Sequence, residues 1–202
     1  MGSAERKGRE RAEREHRIVA AARVIAEREG WDAVTIRRLA DEIEYSQPVL
    51  YSHFENRDAI VAAVAVEGFQ EFTVALREAA SGSTGRNALK NVAMAYLGFA
   101  LSRPALYQAM FILPTVLRFA EARTRPELRA AFEALAAVVT PFCVDVDDVT
   151  ETFWATLHGL AELESSGRIR LNMRSERITL VVRAIVVSGN SPPARGSRHS
   201  VE

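Results

Sequence analysis

Apolar residues recur at intervals of three and four along most of the chain, which is the spacing of an amphipathic helix. The first row, in a helix predicted over about residues 14–29, is Ile18, Ala21, Ala22 and Ile25. Gly30 is a suitable stop for that helix, because glycine adopts the left-handed conformation that ends many helices. A second row, in a short helix that Thr35 would cap, is Ile36, Leu39, Ala40 and Ile43.

A polar turn, Glu44-Tyr45-Ser46, separates the second row from a third short helix. Ser46 is predicted to be the N-cap of that helix, and Pro48 lies in its first turn, where a missing N–H is tolerated. At 100° per residue, Leu50 and Phe54 share one side of the helix. The opposite side is centred on Pro48, Val49 and Ser52, so one side docks and the other is presented. This arrangement is typical of the turn and second helix of a DNA-reading helix-turn-helix.

A recognition helix contacts bases through its N-terminal residues, which nominates Gln47, Pro48 and Val49. Glutamine can bond adenine bidentately, and small apolar groups can touch a thymine methyl. Tyr51 and His53 on the flanks are suited to phosphate contacts. The remaining candidates for the DNA-binding surface are the caps and the outer basic residues, Thr35, Ser46, Arg37, Arg38 and Arg57.

The rest of the chain also follows helical periodicity. Asn56 is predicted to cap a fourth helix that ends before Ser81-Gly82-Ser83-Thr84-Gly85. This fourth helix covers about residues 56–80, and the helices after it are predicted at about 86–102, 104–113, 126–141, 147–165 and 175–188. Their breaks coincide with proline or with clusters of turn residues, and the segment 115–124 is either a short helix or an irregular link. The prediction is an all-α chain with a helix-turn-helix head and a helical body.

The last two predicted helices carry apolar residues on more than one face. In residues 147–165 one row is Val149, Phe153 and Leu160, and another is Trp154, Leu157, His158 and Ala161. In residues 175–188 nearly every face is apolar. Because such helices must be covered on both sides, we expect a homodimer through this pair of helices. The β-branched run 178–187 could instead form a strand, although the sequence offers it no partner strand.

Charge and cysteine content narrow the class of protein. The chain has 26 basic and 26 acidic residues, and its first 60 residues hold eleven basic and twelve acidic ones. A head with a net charge of −1 makes DNA binding depend on clustered arginines and on dimerisation. One cysteine, Cys143, and the lack of a signal peptide or spanning apolar run favour a cytoplasmic protein away from membranes.

The head resembles the TetR family of bacterial transcriptional regulators. The shared residues in the run Ile18 to Ile60 are Gly30, Thr35, Leu39-Ala40, Gln47-Pro48, Leu50-Tyr51 and His53-Phe54. The resemblance implies that Arg37, Gln47, Pro48 and Val49 lie near bases, and that Tyr51, His53 and Arg57 lie near phosphates. Glu44 stands where the family often has glycine, and Arg57 where lysine is common.

The body also resembles part of this family. Trp154-Ala155-Thr156-Leu157-His158-Gly159 matches a Trp-x-x-x-His-Gly signature of one C-terminal subgroup, and the run from Arg103 to Phe111 matches as well. Family bodies hold an inducer pocket, and the candidate lining residues are Tyr96, Phe99, Tyr107, Met110, Phe111, Phe119, Trp154 and His158. Each of these residues, taken alone, could instead belong to the packed core. His158 could be a hydrogen-bonded core or interface residue, and no third ligand completes a metal site with Glu162.

These observations divide the chain into a flexible arm over 1–13, a DNA-binding head over 14–58, a body over 59–189 and a disordered tail over 190–202. Residues 1–13 could also extend the first helix.

No cofactor is expected. The sequence offers no phosphate loop, nucleophile elbow or metal spacing, which disfavours an enzyme. We therefore expect a repressor that binds a palindromic operator and is released by an apolar small molecule. The alternative is a ligand-independent or activating regulator.

Overall fold

The computed structural model describes residues 2–118 and 124–188, which form nine α-helices and no strand. The helices are α1 (Ser3–Glu29), α2 (Ile36–Glu42), α3 (Gln47–Tyr51), α4 (Arg57–Ala80), α5 (Gly85–Ser102), α6 (Pro104–Phe111), α7 (Pro126–Val139), α8 (Val146–Ser165) and α9 (Arg174–Ser188). The all-α prediction is confirmed, and the run 178–187 is helix. Phe119 and the predicted tail 190–202 lie outside the described residues.

The head consists of α1, α2 and α3 around an apolar centre. Ile18, Ile25 and Leu39 are fully buried there. Gly30 ends α1 with φ of 84°, and the Thr35 hydroxyl accepts a hydrogen bond from the Arg38 amide at 3.1 Å. At the start of α4 the Asn56 side chain accepts one from the Ala59 amide at 2.9 Å. These three helix ends lie where the sequence places them.

The turn between α2 and α3 differs from the prediction in one bond. Ser46 occupies the N-cap position, but its side chain makes no capping bond. The Ser46 carbonyl instead accepts from the Val49 amide at 3.0 Å and from Leu50 at 3.3 Å, and Pro48 has no N–H to offer. Within the described residues, Glu44 is the one non-glycine with positive φ, at 57°. The family's glycine position is thus a left-handed turn filled here by a glutamate.

The N-terminal residues are helical rather than an irregular arm. The main-chain N–H of Gly2 donates to the Glu5 carboxylate at 3.1 Å, at the start of α1. Ion pairs one turn apart join Arg6 to Glu10 at 3.6 Å and Arg11 to Glu15 at 2.9 Å. Such i, i+4 pairs stabilise an exposed helix. The basic and acidic residues of the segment predicted as a flexible arm therefore support its alternative, a longer first helix.

The body is built around α4, which packs against α1, α5, α6 and α7. By length and composition α4 could cross a membrane, so the prediction that the chain has no apolar run long enough to span one was wrong on that criterion. A core helix passes the same test, and here Val64, Phe69 and Phe72 of α4 are buried inside the protein. At 1.5 Å per residue its 24 residues span about 36 Å from head to body.

Helices α8 and α9 close the far side of the body. Both apolar rows predicted on α8 face inward: Phe153, Leu157 and Ala161 are buried, and Trp154 is half-buried. The predicted second apolar face is real on α9, where Ile178 and Val182 are buried while Leu180 is 61% and Val187 60% exposed. The outward row of α8 instead contains Gly159 and Leu163.

A buried carboxylate ties these two helices together. The Glu164 side chain at the end of α8 accepts hydrogen bonds from Arg174 Nε at 2.8 Å and from an Arg177 amino group at 2.6 Å. Arg177 also donates to the Arg170 carbonyl at 2.8 Å. Charge-assisted bonds of this kind are among the stronger ones in proteins. They fix the turn from α8 into α9 and hence the direction of the exposed apolar faces.

Candidate DNA-binding surface and ligand cavity

Helix α3 presents the residues that the sequence nominates for base contact. Gln47 and Pro48 are exposed and Val49 is half-buried, while Leu50 is fully buried against the head. Tyr51 is 54% exposed, which leaves its hydroxyl available for a contact outside the chain. The division of α3 into a docked and a presented side therefore agrees with the 100° spacing of its residues.

Two residues predicted to contact phosphate, His53 and Arg57, have partners within the protein. The His53 side chain is only 6% exposed, and its Nδ1 lies 3.3 Å from the Glu15 carboxylate of α1. The Arg57 guanidinium donates to the carbonyl oxygens of Val34 at 2.8 Å and Trp31 at 2.7 Å. Both side chains hold the head together, because they bridge segments that are far apart in sequence. Neighbouring residues alone could not reveal these partners.

The two arginines of α2 have different surroundings. Arg38 lies 3.2 Å from the Glu29 carboxylate and 3.8 Å from that of Glu42. Arg37 is exposed and makes no ion pair or hydrogen bond with any part of the chain that the structure describes. Arg37 is thus the α2 cation with an uncompensated charge beside α3. The Thr35 hydroxyl is already used as the cap of α2.

The extended part of α1 runs close to the end of α3. An amino group of Arg11 lies 3.5 Å from the Ser52 carbonyl, which follows α3 directly. At 100° per residue, Lys7 and Arg14 share the Arg11 face of α1, because they lie four residues before and three after it. Among the described residues neither has an intramolecular partner. The extension therefore carries a basic stripe beside the recognition helix.

An aromatic cluster with Phe111 at its centre fills the middle of the body. The Phe111 ring, on the last residue of α6, lies 5.2 Å from Phe69, 4.8 Å from Tyr107 and 5.9 Å from Trp154, measured between centroids. Tyr96 of α5 lies 6.4 Å from the same ring, so the aromatic cluster joins α4, α5, α6 and α8. Any molecule that displaces Phe111 must therefore disturb α6.

A chain of hydrogen bonds crosses this aromatic cluster. Trp154 Nε1 donates to the Tyr96 hydroxyl at 3.1 Å. The Tyr96 hydroxyl lies 3.0 Å from the Tyr107 hydroxyl. The Tyr107 hydroxyl lies 2.7 Å from His158 Nδ1. Every hydroxyl hydrogen has an acceptor only if Tyr96 donates to Tyr107 and Tyr107 donates to an unprotonated Nδ1. The imidazole is thus neutral in this arrangement.

Burial affects the ionisation of these groups. It raises the pKa of the Tyr96 and Tyr107 hydroxyls far above their ordinary range. It also lowers the pKa of His158 below its ordinary value of 6.5, against the opposing effect of the Glu162 carboxylate. The interpretation of His158 as a hydrogen-bonded residue fits this geometry. The described residues contain no group of three or more His, Cys, Asp or Glu side chains that could hold a metal ion.

A cavity of about 360 Å³ opens beside the aromatic cluster. Of the predicted lining residues, Phe111 and Trp154 line it. Phe69 and Phe72 of α4 form another wall, and the amphipathic row of α7 supplies Leu128, Phe132 and Leu135. That row was visible in the sequence as a helix stripe, but its neighbours were not. Volumes from about 300 Å³ upward are typical of small-molecule sites.

The other predicted lining residues lie behind this wall. Tyr96, Tyr107 and His158 form the hydrogen-bonded layer, and the Tyr96 and Tyr107 side chains are almost fully buried. Phe99 packs under Phe72 at 5.0 Å between centroids. Met110 lies against Gly68 at the crossing of α4 and α6, where a Cβ on Gly68 would come within 2.7 Å of the Met110 sulfur. These residues support the cavity rather than line it.

Helix α6 connects the cavity to the head. The Glu27 carboxylate of α1 accepts hydrogen bonds from the main-chain amides of Ala105 at 3.3 Å and Leu106 at 3.1 Å. The Trp31 indole donates to the Ala105 carbonyl at 2.8 Å. The first turn of α6 is thus clamped to the head, while its last residue, Phe111, lines the cavity.

Two family models match this chain on its head and its body. The model described as bacterial regulatory proteins, tetR family, matches residues 18–64. The model described as tetracyclin repressor-like, C-terminal domain, matches residues 89–186. Together they cover most of the chain and both of its structural parts.

Individual proteins give the same picture. The chain is 28% identical over 153 residues to the HTH-type transcriptional regulator Rv0681 of Mycobacterium tuberculosis, covering 74% of this chain and 69% of the relative. A solved protein of unknown function from Rhodococcus sp. RHA1 has a TM-score of 0.70 at 25% identity, covering 86% of this chain and 94% of that one. The structure of BioQ with its double-stranded DNA operator has a TM-score of 0.61 at 23% identity, covering 84% and 95%. The chain is a DNA-binding transcriptional regulator of the TetR family.

Proposed function

We propose that this protein is a homodimeric repressor, acting in the cytoplasm, that binds a two-fold symmetric operator and is released by a small apolar ligand. Gln47, Pro48 and Val49 would read base edges in the major groove, and Tyr51 would contact phosphate. Arg37 would lie near bases. The structure of BioQ with its operator gives a precedent for this fold on DNA.

The basic stripe of α1 would add phosphate contacts to those of α3. Lys7 and Arg14 have no partner in the described part of the chain, and they lie on the side of α1 that faces the end of α3. His53 and Arg57 would contribute indirectly, because they hold α1, α3 and α4 in register. In this proposal, additional phosphate contacts come from the N-terminal part of α1, which is exposed along its length.

The dimer would form through the outward faces of α8 and α9. Leu180 and Val187 are more than half exposed, and a Cβ placed on Gly159 would meet no atom of the chain within 4 Å. A second copy would cover these apolar residues in a four-helix interface, as is common in symmetric dimers. Two heads would then address half-sites about 34–36 Å apart, or one helical turn.

Release of the protein from its operator would begin with a movement of Phe111. A ligand in the cavity presses on the last turn of α6, whose first turn is hydrogen-bonded to Glu27 and clamped by Trp31. Movement of α6 therefore reaches α1 and the head directly, in addition to any movement of α4. A ligand shifts this equilibrium only as far as it binds one arrangement better than the other. This path from cavity to head is the observation that carries the proposal.

The alternative, a regulator without a ligand, would call for a solid body. The cavity of about 360 Å³ beside Phe111 and Trp154 favours the ligand-responsive form.

The test of DNA binding is a titration of the purified protein with a labelled DNA fragment from beside its own gene, over a range of salt concentrations. We expect replacement of Lys7 and Arg14 by glutamine to lower affinity and flatten the salt slope, with Arg9 to glutamine as the control on another face of α1. An unchanged slope would contradict the phosphate role of the stripe.

A further inference from the structure

The cavity has an apolar interior and a charged mouth. Its inner walls are aromatic and aliphatic, formed by Phe69, Phe72 and Phe132 with the leucines of α7. Three charged residues, Arg129 of α7 with Asp147 and Glu151 of α8, line its exposed end. Among the described residues that line the cavity, the formal charge is therefore −1, because two carboxylates accompany one guanidinium.

The two carboxylates are placed to act together. Asp147, Glu151 and Trp154 lie at i, i+4 and i+7 on α8, which is one face of a helix. Neither carboxylate forms a hydrogen bond or an ion pair with the described residues, and Arg129 donates only to the Thr124 carbonyl, at 3.5 Å. The carboxylates of Glu27, Glu71 and Glu164 have partners, whereas other exposed carboxylates of the described chain, such as Asp148, have none.

Helix stability accounts for one of these charges and not for the other. Asp147 lies in the first turn of α8, where a negative charge is favoured by the helix dipole. Glu151 lies beyond that turn, where the effect has faded. Two like charges at i, i+4 also repel each other. The electrostatics of α8 alone therefore do not favour the charge of Glu151 at the mouth of the cavity.

We propose that the cavity binds a monocationic amphiphile, with an apolar, aromatic body in the interior and a cationic head between Asp147 and Glu151. The carboxylates would supply the counter-charge. The Trp154 and Phe132 rings would face the cation with their negative π surfaces, an arrangement that favours cations over anions. This inference rests on the proposed function, because it names the class of ligand that the regulatory cavity would take.

Three small probes test the sign of the charge directly. At pH 7, 4-phenylbutylammonium, 4-phenylbutanol and 4-phenylbutyrate share one apolar body and carry head charges of about +1, 0 and −1. Binding to the full-length protein is followed by calorimetry and by tryptophan fluorescence. The chain has two tryptophans, Trp31 and Trp154, so loss of the signal in Trp154→Phe assigns it to the cavity.

We expect the cation to bind roughly tenfold more tightly than the anion, with the alcohol between them. Glu151→Gln should reduce that ratio to less than about threefold, since it removes one carboxylate and keeps the shape. Asp148→Asn is the matched control, because Asp148 is exposed on the same turn and does not line the cavity. The ratio should stay unchanged in this variant.

Equal affinity for cation and anion, or tighter binding of the anion, would overturn the inference. Absence of binding by all three probes to folded protein would overturn it as well, because each carries the apolar body that the cavity is argued to take. Operator binding is measured in parallel. A cation that binds in the cavity and leaves the operator complex intact would support the ligand class and contradict release by ligand in the proposed function.

Discussion

The indole nitrogen of Trp31 donates a hydrogen bond to the main-chain carbonyl of Ala105 at 2.8 Å, and this bond joins the DNA-binding head to the first turn of α6. Trp31 is buried, and its own carbonyl accepts from Arg57 at the start of α4. Three segments, the link after α1, the start of α4 and the start of α6, therefore meet at one residue. This junction connects α6 to the head beside a second connection, the bonds from the Ala105 and Leu106 amides to Glu27 of α1.

Removal of the indole N–H should weaken both stability and coupling. Trp31→Phe keeps most of the buried ring and loses the bond to Ala105, so we expect the free energy of unfolding to fall by about 1 to 2 kcal/mol. We also expect operator affinity in the absence of ligand to change little, while the effect of a cavity ligand on that affinity shrinks. Urea unfolding and operator titrations measure the two effects. Full retention of ligand response would show that α6 signals by another path.

Glu44 offers a stabilising substitution. Its φ of 57° is a conformation that costs a non-glycine residue about 1 kcal/mol and glycine almost nothing. We expect Glu44→Gly to raise the free energy of unfolding by about 1 kcal/mol, measured by chemical denaturation. Glu44→Ala separates this effect from the loss of charge, because alanine keeps the Cβ. A gain of equal size in the alanine variant would contradict the backbone explanation.

The crossing of α4 and α6 requires glycine at position 68. A Cβ there would lie 2.7 Å from the Met110 sulfur and 2.8 Å from a Leu106 methyl, and both side chains are buried. We expect Gly68→Ala to cost about 1 to 3 kcal/mol in thermal or chemical unfolding, because the packed side chains must move. Gly98→Ala in α5 is the matched control. It meets no atom within 4 Å, so it should be neutral or stabilising.

The start and end of most helices were predictable because local chemistry decides them. Gly30, Thr35 and Asn56 act through their own backbone or through an amide three residues away. Prolines at the starts of α6 and α7 act in the same way. Helical geometry alone predicted which residues of α3 are exposed.

The internal partners of His53 and Arg57 and most of the cavity lining were not predictable, because the residues concerned are distant from one another in sequence. Glu15 lies 38 residues before His53, and Trp31 lies 26 before Arg57. Phe69 and Phe72 have the pattern of ordinary core residues, and only the packing of α7 and α8 leaves a space beside them. For Ser46 the prediction was right about the N-cap position of α3 and wrong about the capping hydrogen bond of its side chain.

Acid should weaken the body through His158. Burial lowers the pKa of this imidazole below 6.5, so the folded state favours its neutral form. The resulting stabilisation is complete above pH 6.5 and is lost as the pH falls from there through the lower pKa of the folded protein. We expect the melting temperature to decline over that range. His158→Asn offers Tyr107 an acceptor that does not titrate, and its profile should be flatter than that of the wild type; an identical decline would assign the effect to other groups.

The central claim is that two copies of α3 read a symmetric DNA site through Gln47 and its neighbours. Selection of a random DNA library with the purified full-length protein, followed by sequencing, tests it most directly. We expect an inverted repeat whose half-sites are separated by about one helical turn, and we expect Gln47→Ala to relax the preference at one position of each half-site. Enrichment of no inverted repeat, or the same preference at every position in Gln47→Ala, would contradict the claim.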